Sequence, residues 1–120
     1  MAEPAVILPV LPFSKVRHAG SLVFLACELP LSENGSIPEG IGPQTDLTLR
    51  RIAATLAREG LSMADVVSCT VYLADRADFR AFNEAYRLHF SDPLPVRTTV
   101  QAGLMVEARV EITVVAQKHG

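Results

Sequence analysis

Two side chains in this 120-residue chain have the chemistry and the setting to act on a small molecule. Arg97 follows a proline break in Pro93-Leu94-Pro95-Val96-Arg97-Thr98-Thr99-Val100 and starts an otherwise apolar strand pattern. A guanidinium is a rigid fork of donors suited to holding a carboxylate bidentately, although an arginine in this place also reads as an ordinary surface residue. Glu111 lies in Arg109-Val110-Glu111-Ile112-Thr113-Val114-Val115, a carboxylate among β-branched residues. Such a group either faces solvent or faces a pocket, where burial raises its pKa and lets it orient water or move a proton. Spacing alone does not bring the two together.

Other chemistry finds little support. There is no GxxxxGK(S/T), GxGxxG or GxSxG run, so the usual phosphate loops and the nucleophile elbow are missing. His18, His89 and His119 are far apart and share no ligand spacing with Cys27 or Cys69, which argues against a metal site. Cys27 has no base near it in sequence and reads first as a small buried hydrophobe at a strand end. The net charge of −2 argues against nucleic acid and anionic membranes as partners. Two cysteines cannot make a disulfide scaffold and suit a reducing compartment, so a cytoplasmic location is expected. The apolar start from Ala5 to Pro12 is short, broken by prolines and without a basic leader, and reads as an arm or first strand rather than a membrane span or signal. With 49% hydrophobic residues, the chain has ample apolar surface for one domain over 1–120.

The elements that must position these residues follow from periodicity. Phe13 to Arg17 and the apolar run Leu22 to Leu25 flank His18-Ala19-Gly20-Ser21 and predict a hairpin, its second strand buried. Pro43 and Gln44 open a helix in which Thr45, Leu49, Ile52 and Leu56, with Ala53 and Ala57, recur at helical spacing up to Gly60. Its other face, with Asp46, Arg50, Arg51 and Arg58, reads as solvated. Ser62 to Asp65 is a capped turn into a strand from Val66 to Leu73. There Val67, Cys69, Val71 and Leu73 share one face, and Ser68, Thr70 and Tyr72 the other. Asp75 and Asp78 begin a second helix with a core stripe of Phe79, Phe82, Tyr86 and Phe90, ended by Asp92-Pro93. Strands from Arg97 to Ala102 and from Arg109 to Ala116 close the chain. The order β-β-α-β-α-β-β predicts an α/β (α+β) domain: one mixed sheet with both helices on one face. The other face is left bare, which oligomerisation would cover.

The chain resembles the Rid family of reactive intermediate deaminases, also called YjgF and often labelled endoribonuclease L-PSP. The likeness runs from Pro12-Phe13-Ser14 to Val115-Ala116. Its most specific piece is Pro95-Val96-Arg97-Thr98-Thr99-Val100, which looks like the family's P-x-R-(S/T)-x-V signature. Gln44-Thr45, Asp65-Val66-Val67, Thr70 to Asp75, Phe82-Asn83-Glu84-Ala85-Tyr86 and Val110-Glu111-Ile112 complete it in order. The resemblance implies a chorismate-mutase-like fold, a homotrimer with clefts between subunits, and no metal or organic cofactor. It further implies hydrolysis of small 2-imino acids of the 2-aminoacrylate type to 2-keto acids and ammonia. In that scheme Arg97 clamps the carboxylate and Glu111 positions the attacking water. Backbone near Cys27 and Thr99 completes the pocket, and Phe13 helps to close it. The chain departs from the family's usual pattern at Phe13, often Tyr, at Ala26-Cys27-Glu28, often Ser-Gly-Gln, and at Thr113, often acidic.

Three functions follow as expectations. The first is an enamine or imine deaminase of the 2-iminobutanoate or 2-iminopropanoate type. The second is a non-catalytic binder of small carboxylates that acts as a regulator, motivated by the altered cleft at Phe13 and Cys27. Ribonuclease activity comes last, because the chain has neither a basic patch nor aromatics placed for base stacking.

Overall fold

The hairpin forms around Gly20 at φ +60°, so that β1 (Val16–Ala19) and β2 (Leu22–Leu25) pair antiparallel with Ala19 opposite Leu22. The structure, a computed structural model, describes residues 11–119. Of the expected arm from Ala5 to Pro12, all but Leu11 and Pro12 lies outside the described residues. The chain continues through α1 (Ile41–Arg58), β3 (Val66–Leu73), α2 (Phe79–Tyr86), β4 (Val96–Gln101) and β5 (Val110–Gln117). The five strands form one sheet in the order β1-β2-β5-β3-β4, with β3 and β4 parallel and the other pairs antiparallel. This is the β-β-α-β-α-β-β mixed sheet expected from the sequence.

Both helices cover one face of the sheet. Val23, Leu25, Cys69, Val71, Leu73, Val110, Ile112, Val114 and Ala116 point from the strands toward Leu49, Ile52 and Leu56 of α1 and Phe82 of α2. β5 carries the period-two pattern cleanly, its even-numbered residues from Val110 to Ala116 buried and its odd ones half-exposed. The opposite face holds Phe24, Val115, Ser68 and Val96 in one row, Thr113, Thr70 and Thr98 in the next, and Glu111, Tyr72 and Val100 in a third. It is nearly uncharged, and Val96 there is 70% exposed.

Helix α1 starts at Ile41, two residues before the expected Pro43, because Gly40 at φ +92° turns the chain just outside it. It ends as a Schellman motif: Gly60, at φ +75°, donates to the Ala57 carbonyl and Leu61 to that of Leu56. Thr45, Leu49, Ile52 and Leu56 are buried as their spacing predicted, whereas Ala57 is exposed and Thr48 and Thr55 take core places.

Three further expectations are corrected. A register shift between Val66 and Ser68 in the pairing with β5 buries Val66 and turns Val67 outward, so Val67 does not share the face of Cys69 and Val71. Phe24 faces outward on β2, which leaves that strand buried on one side only. Phe79, read as core, is 47% exposed on the first turn of α2; Phe82 and Tyr86 carry the packing.

Candidate active site

Arg97 pairs with Cys69 across β4 and β3, and this register sends its side chain toward the helix layer. There α2 presents Phe79, Phe82, Asn83 and Tyr86, residues spaced three and four apart on one face. The guanidinium carbon lies 4.7 Å from the Tyr86 ring centre, 5.3 Å from that of Phe82 and 5.8 Å from that of Phe79. Its Nη2 donates to Asn83 Oδ1 at 2.7 Å. The aromatic faces stabilise the charge and hold the fork in place. Among the described residues Arg97 has no carboxylate partner, whereas Lys15, Arg50, Arg51 and Arg109 each have one. Arg97 is thus a half-buried cation with its orientation fixed and most of its five donors free.

The groups around it are neutral. Burial pushes the Tyr86 hydroxyl well above the usual phenol range, with the Cys69 thiol beside it adding to the effect. Burial also raises the Cys69 thiol. The Tyr86 hydroxyl is buried against the Cys69 thiol and the Arg97 guanidinium without a well-formed hydrogen bond, and that of Thr99, two residues beyond Arg97 on the same face, is buried without a partner.

Glu111 belongs to the other side of the sheet. It pairs with Tyr72 and stands half-exposed on the open face. Cys27 follows β2 just before Glu28, whose backbone bonds in both directions with Ile112 at 2.7 and 3.1 Å. Cys27 is exposed, not the small buried hydrophobe expected at this strand end, and its thiol is pushed up to about 11, first by the desolvation it meets and then by the hydrogen bond and charge of Glu111. Held protonated in this way, it is a poor nucleophile at neutral pH.

The five predicted site residues therefore separate. Arg97 and Thr99 share the helix side of the edge strand β4, and Cys27 and Glu111 lie together on the open side. Phe13 is 60% exposed just before β1, on the far edge of the sheet from Arg97. From strand and residue spacings, the Arg97 and Glu111 backbones are on the order of 14 Å apart. Within one protomer they do not converge.

Sequence reasoning gave no role to the bed beneath Arg97. Its signal was present: Asn83 is a polar residue inside the apolar stripe of Phe79, Phe82 and Tyr86. The solvated reading of α1 also missed Arg51, which donates to the buried Glu28 carboxylate at 2.8 Å and to the Leu31 carbonyl at 2.6 Å.

An α+β sheet with two helices on one face matches known proteins closely. The family model described as Endoribonuclease L-PSP matches residues 4–118, and the chain belongs to that family, the Rid or YjgF proteins. A RutC family protein of Pyrococcus horikoshii is 36% identical over 114 residues, covering 92% of this chain and 90% of the relative. Reactive Intermediate Deaminase A, chloroplastic, of Arabidopsis thaliana is 38% identical over 108 residues, covering 88% of this chain and 58% of the relative. Among solved structures, Escherichia coli TdcF with bound serine superimposes with a TM-score of 0.86 at 30% identity, over 92% of this chain and 91% of TdcF. Among the described residues no helix is long and apolar enough to cross a membrane.

Proposed function

We propose that this protein is an imine and enamine deaminase that converts small 2-imino acids of the 2-aminoacrylate type to 2-oxo acids and ammonia. The observation that carries this reading is Arg97: a half-buried guanidinium, bedded on Tyr86 and Phe82, tied to Asn83 and free of any protein carboxylate among the described residues. Such a group is preorganised to take a substrate carboxylate through paired hydrogen bonds. The deaminase named among its relatives and the neighbour holding serine, itself an amino acid carboxylate, support the same reading.

The reaction asks little beyond placement, because a protonated imine carbon is already electrophilic. Arg97 fixes the carboxylate, and Glu111 accepts a proton from water as the water oxygen bonds to the imine carbon and the C=N electron pair moves to nitrogen. Glu111 then returns that proton to the amine of the carbinolamine. The C–N bond breaks and ammonia leaves, and the remaining hydroxyl gives its proton to Glu111, which passes it to the departing ammonia, as it becomes the carbonyl of the 2-oxo acid.

This division of labour places the site between copies of the chain. Arg97 and Glu111 occupy opposite faces of the sheet, so the Glu111 that serves one Arg97 comes from a neighbouring copy. The nearly uncharged open face, with Phe24, Val96 and Val100 exposed, supports a second copy covering it, in a homotrimer. Phe13 and Cys27 then lie on the Glu111 side of the cleft and limit its size.

The test is loss of a 2-imino acid generated in situ by an amino-acid oxidase, with light scattering on the same sample. Accelerated loss that disappears in Arg97→Ala, from a trimeric protein, supports the reading. Full speed in Arg97→Ala defeats the assignment, and a monomeric mass at micromolar concentration defeats the shared site.

A second reading is a small-carboxylate binder without turnover. It rests on the altered cleft, with Phe13 where the family often has Tyr and the Cys27 side chain beside Glu111 where the family often has Gly. Thermal stabilisation by 2-oxo acids that depends on Arg97, with no turnover of any imine offered, would favour it.

A further inference from the structure

We propose that His89 and Asp46 are positioning residues for the Arg97 site: their hydrogen bond braces the end of α2 against α1 and so sets the bed on which the guanidinium lies. The inference rests on the reading of Arg97 as the carboxylate clamp. His89 Nε2 donates to Asp46 Oδ1 at 2.9 Å, and the second oxygen of that carboxylate accepts from Arg50 Nε at 2.8 Å. Asp46 and Arg50 stand one helical turn apart, so their pair fixes the carboxylate from within α1 while His89 reaches it from outside.

Helix α2 needs such a brace. It is eight residues long and buries only Phe82 and Tyr86, so neither its own hydrogen bonds nor a broad apolar face fixes its place on the sheet. Side-chain contacts hold the segment at both ends. At its start Asp78 accepts from Arg109 Nη1 at 2.9 Å. Past its end, the turn Arg87–His89 carries His89, whose side chain is 16% exposed. Among the described residues, His89 to Asp46 is the only side-chain hydrogen bond that joins α1 to α2 and the turns flanking it.

The brace lies next to the bed in the chain. Tyr86, three residues before His89, has its ring centre 4.7 Å from the guanidinium carbon of Arg97. It also packs on Phe90, the residue after His89, with ring centres 4.6 Å apart. Asn83, three residues before Tyr86, accepts from Arg97 Nη2 at 2.7 Å. A displaced end of α2 therefore moves the aromatic face and the hydrogen-bond acceptor together. A shift of about 1 Å in a group remote from the substrate is enough to spoil a preorganised site.

The experiment pairs nuclear magnetic resonance of the Arg97 side chain with isothermal titration of 2-oxobutanoate on the same full-length variants. His89→Phe keeps a ring and loses the donor, and His89→Gln keeps a donor within reach of Asp46. Asp46→Ala removes the acceptor at a half-exposed position, which keeps the test open where a change at the more buried His89 impairs folding. His89→Phe and Asp46→Ala are each expected to lower the order parameter of the Arg97 Nε–H group and to weaken 2-oxobutanoate about threefold to fivefold. His89→Gln is expected to keep both within about twofold of wild type, and His89→Phe with Asp46→Ala to lose no more than either alone. An Arg97 order parameter and affinity unchanged in both single variants overturn the brace. So does a loss that His89→Gln fails to recover, or losses that add in the double variant. Failure of the wild-type protein to bind 2-oxobutanoate or any other 2-oxo acid defeats the clamp instead, and the Arg97 order parameter then decides the brace by itself.

Discussion

Arg97 and Glu111 stand back to back, the arginine on the helix side of β4 and the glutamate on the open side of β5, with β3 between them. A site that needs both is made by two copies of the chain, each giving one residue. This arrangement predicts complementation between inactive variants. Arg97→Ala and Glu111→Gln should each abolish deaminase activity when expressed alone. Co-expressed in equal amounts, they should recover about a quarter of the wild-type activity, the fraction of heterologous interfaces that pair an intact Arg97 with an intact Glu111. Mixed oligomers separated by differential tags would report this directly, and no recovery in verified mixed oligomers would place both residues in one protomer's site.

The bed beneath Arg97 predicts different outcomes for two neighbouring residues on α2. Asn83 holds Nη2 at 2.7 Å, so Asn83→Ala should loosen the fork and raise KM about tenfold or more, with kcat less affected, as expected for loss of a hydrogen bond to a charged group. The Tyr86 hydroxyl is buried against the Cys69 thiol without a well-formed hydrogen bond, so Tyr86→Phe keeps the ring under the guanidinium and removes only a weakly held polar atom. That change should leave KM within about twofold and stability unchanged or slightly raised. Tyr86→Leu, which removes the aromatic face, should raise KM. Steady-state kinetics with melting curves separate these cases, and an equal KM for Tyr86→Phe and Tyr86→Leu would show that the ring does not hold Arg97.

Much of this arrangement was legible in the sequence, for reasons specific to each element. Helix α1 and strand β5 each face one layer along their whole length, so their periods of 3.6 and two emerge without interruption. Strand β3 was placed with its boundaries, but the bulge at Val66 to Ser68 depends on its pairing with β5, and no local pattern signals it. Arg97 and Glu111 were singled out as candidates by residue type and setting, yet the faces they occupy were not legible. Alternation says that Arg97 and Thr99 point the same way, but only pairing with Cys69 and Val71 says that this way is toward α2. The exposure of Phe79 has the same origin. A stripe on a helix shows which residues are aligned, not which of them the neighbouring elements cover.

The Cys27 thiol predicts a pH dependence. Titrating at about 11, it is only about one part in a thousand thiolate at pH 8. Alkylation of Cys27 by iodoacetamide should therefore be slow at pH 8 and rise about tenfold per pH unit until pH nears 11. Glu111→Gln removes a charge and an acceptor that favour the protonated form while burial remains. It should speed the reaction at pH 8, with mass spectrometry identifying the modified residue. For folding, the native thiol holds its proton more tightly than the unfolded one, whose value is 9.0, so this contribution to stability is complete below pH 9 and is lost as pH rises toward 11. Rapid alkylation of native Cys27 at pH 8 would contradict the protonated assignment.

Glu28 gives the sharpest stability prediction. Its carboxylate is buried and shared between Lys15 and Arg51, each 2.8 Å away, while its backbone fastens the chain after β2 to Ile112. The Lys15 side chain is 53% exposed and that of Arg51 only 32%, so the two cations contribute unequally. Lys15→Ala breaks a partner that is mostly in water and should cost about 1 kcal/mol or less. Arg51→Ala leaves a buried carboxylate with one exposed partner and also frees the Leu31 carbonyl, and it should cost about 3 kcal/mol. Replacing Glu28 and Arg51 together by leucine removes the buried charge along with its partner and should recover much of that loss. Urea unfolding at one fixed protein concentration measures all three, because the proposed assembly would make the midpoint depend on concentration. If Lys15→Ala cost as much as Arg51→Ala, the carboxylate would have to be held mainly from the solvent side, and Glu28 would then be a surface ion pair rather than the anchor that ties the strand after Cys27 to β5.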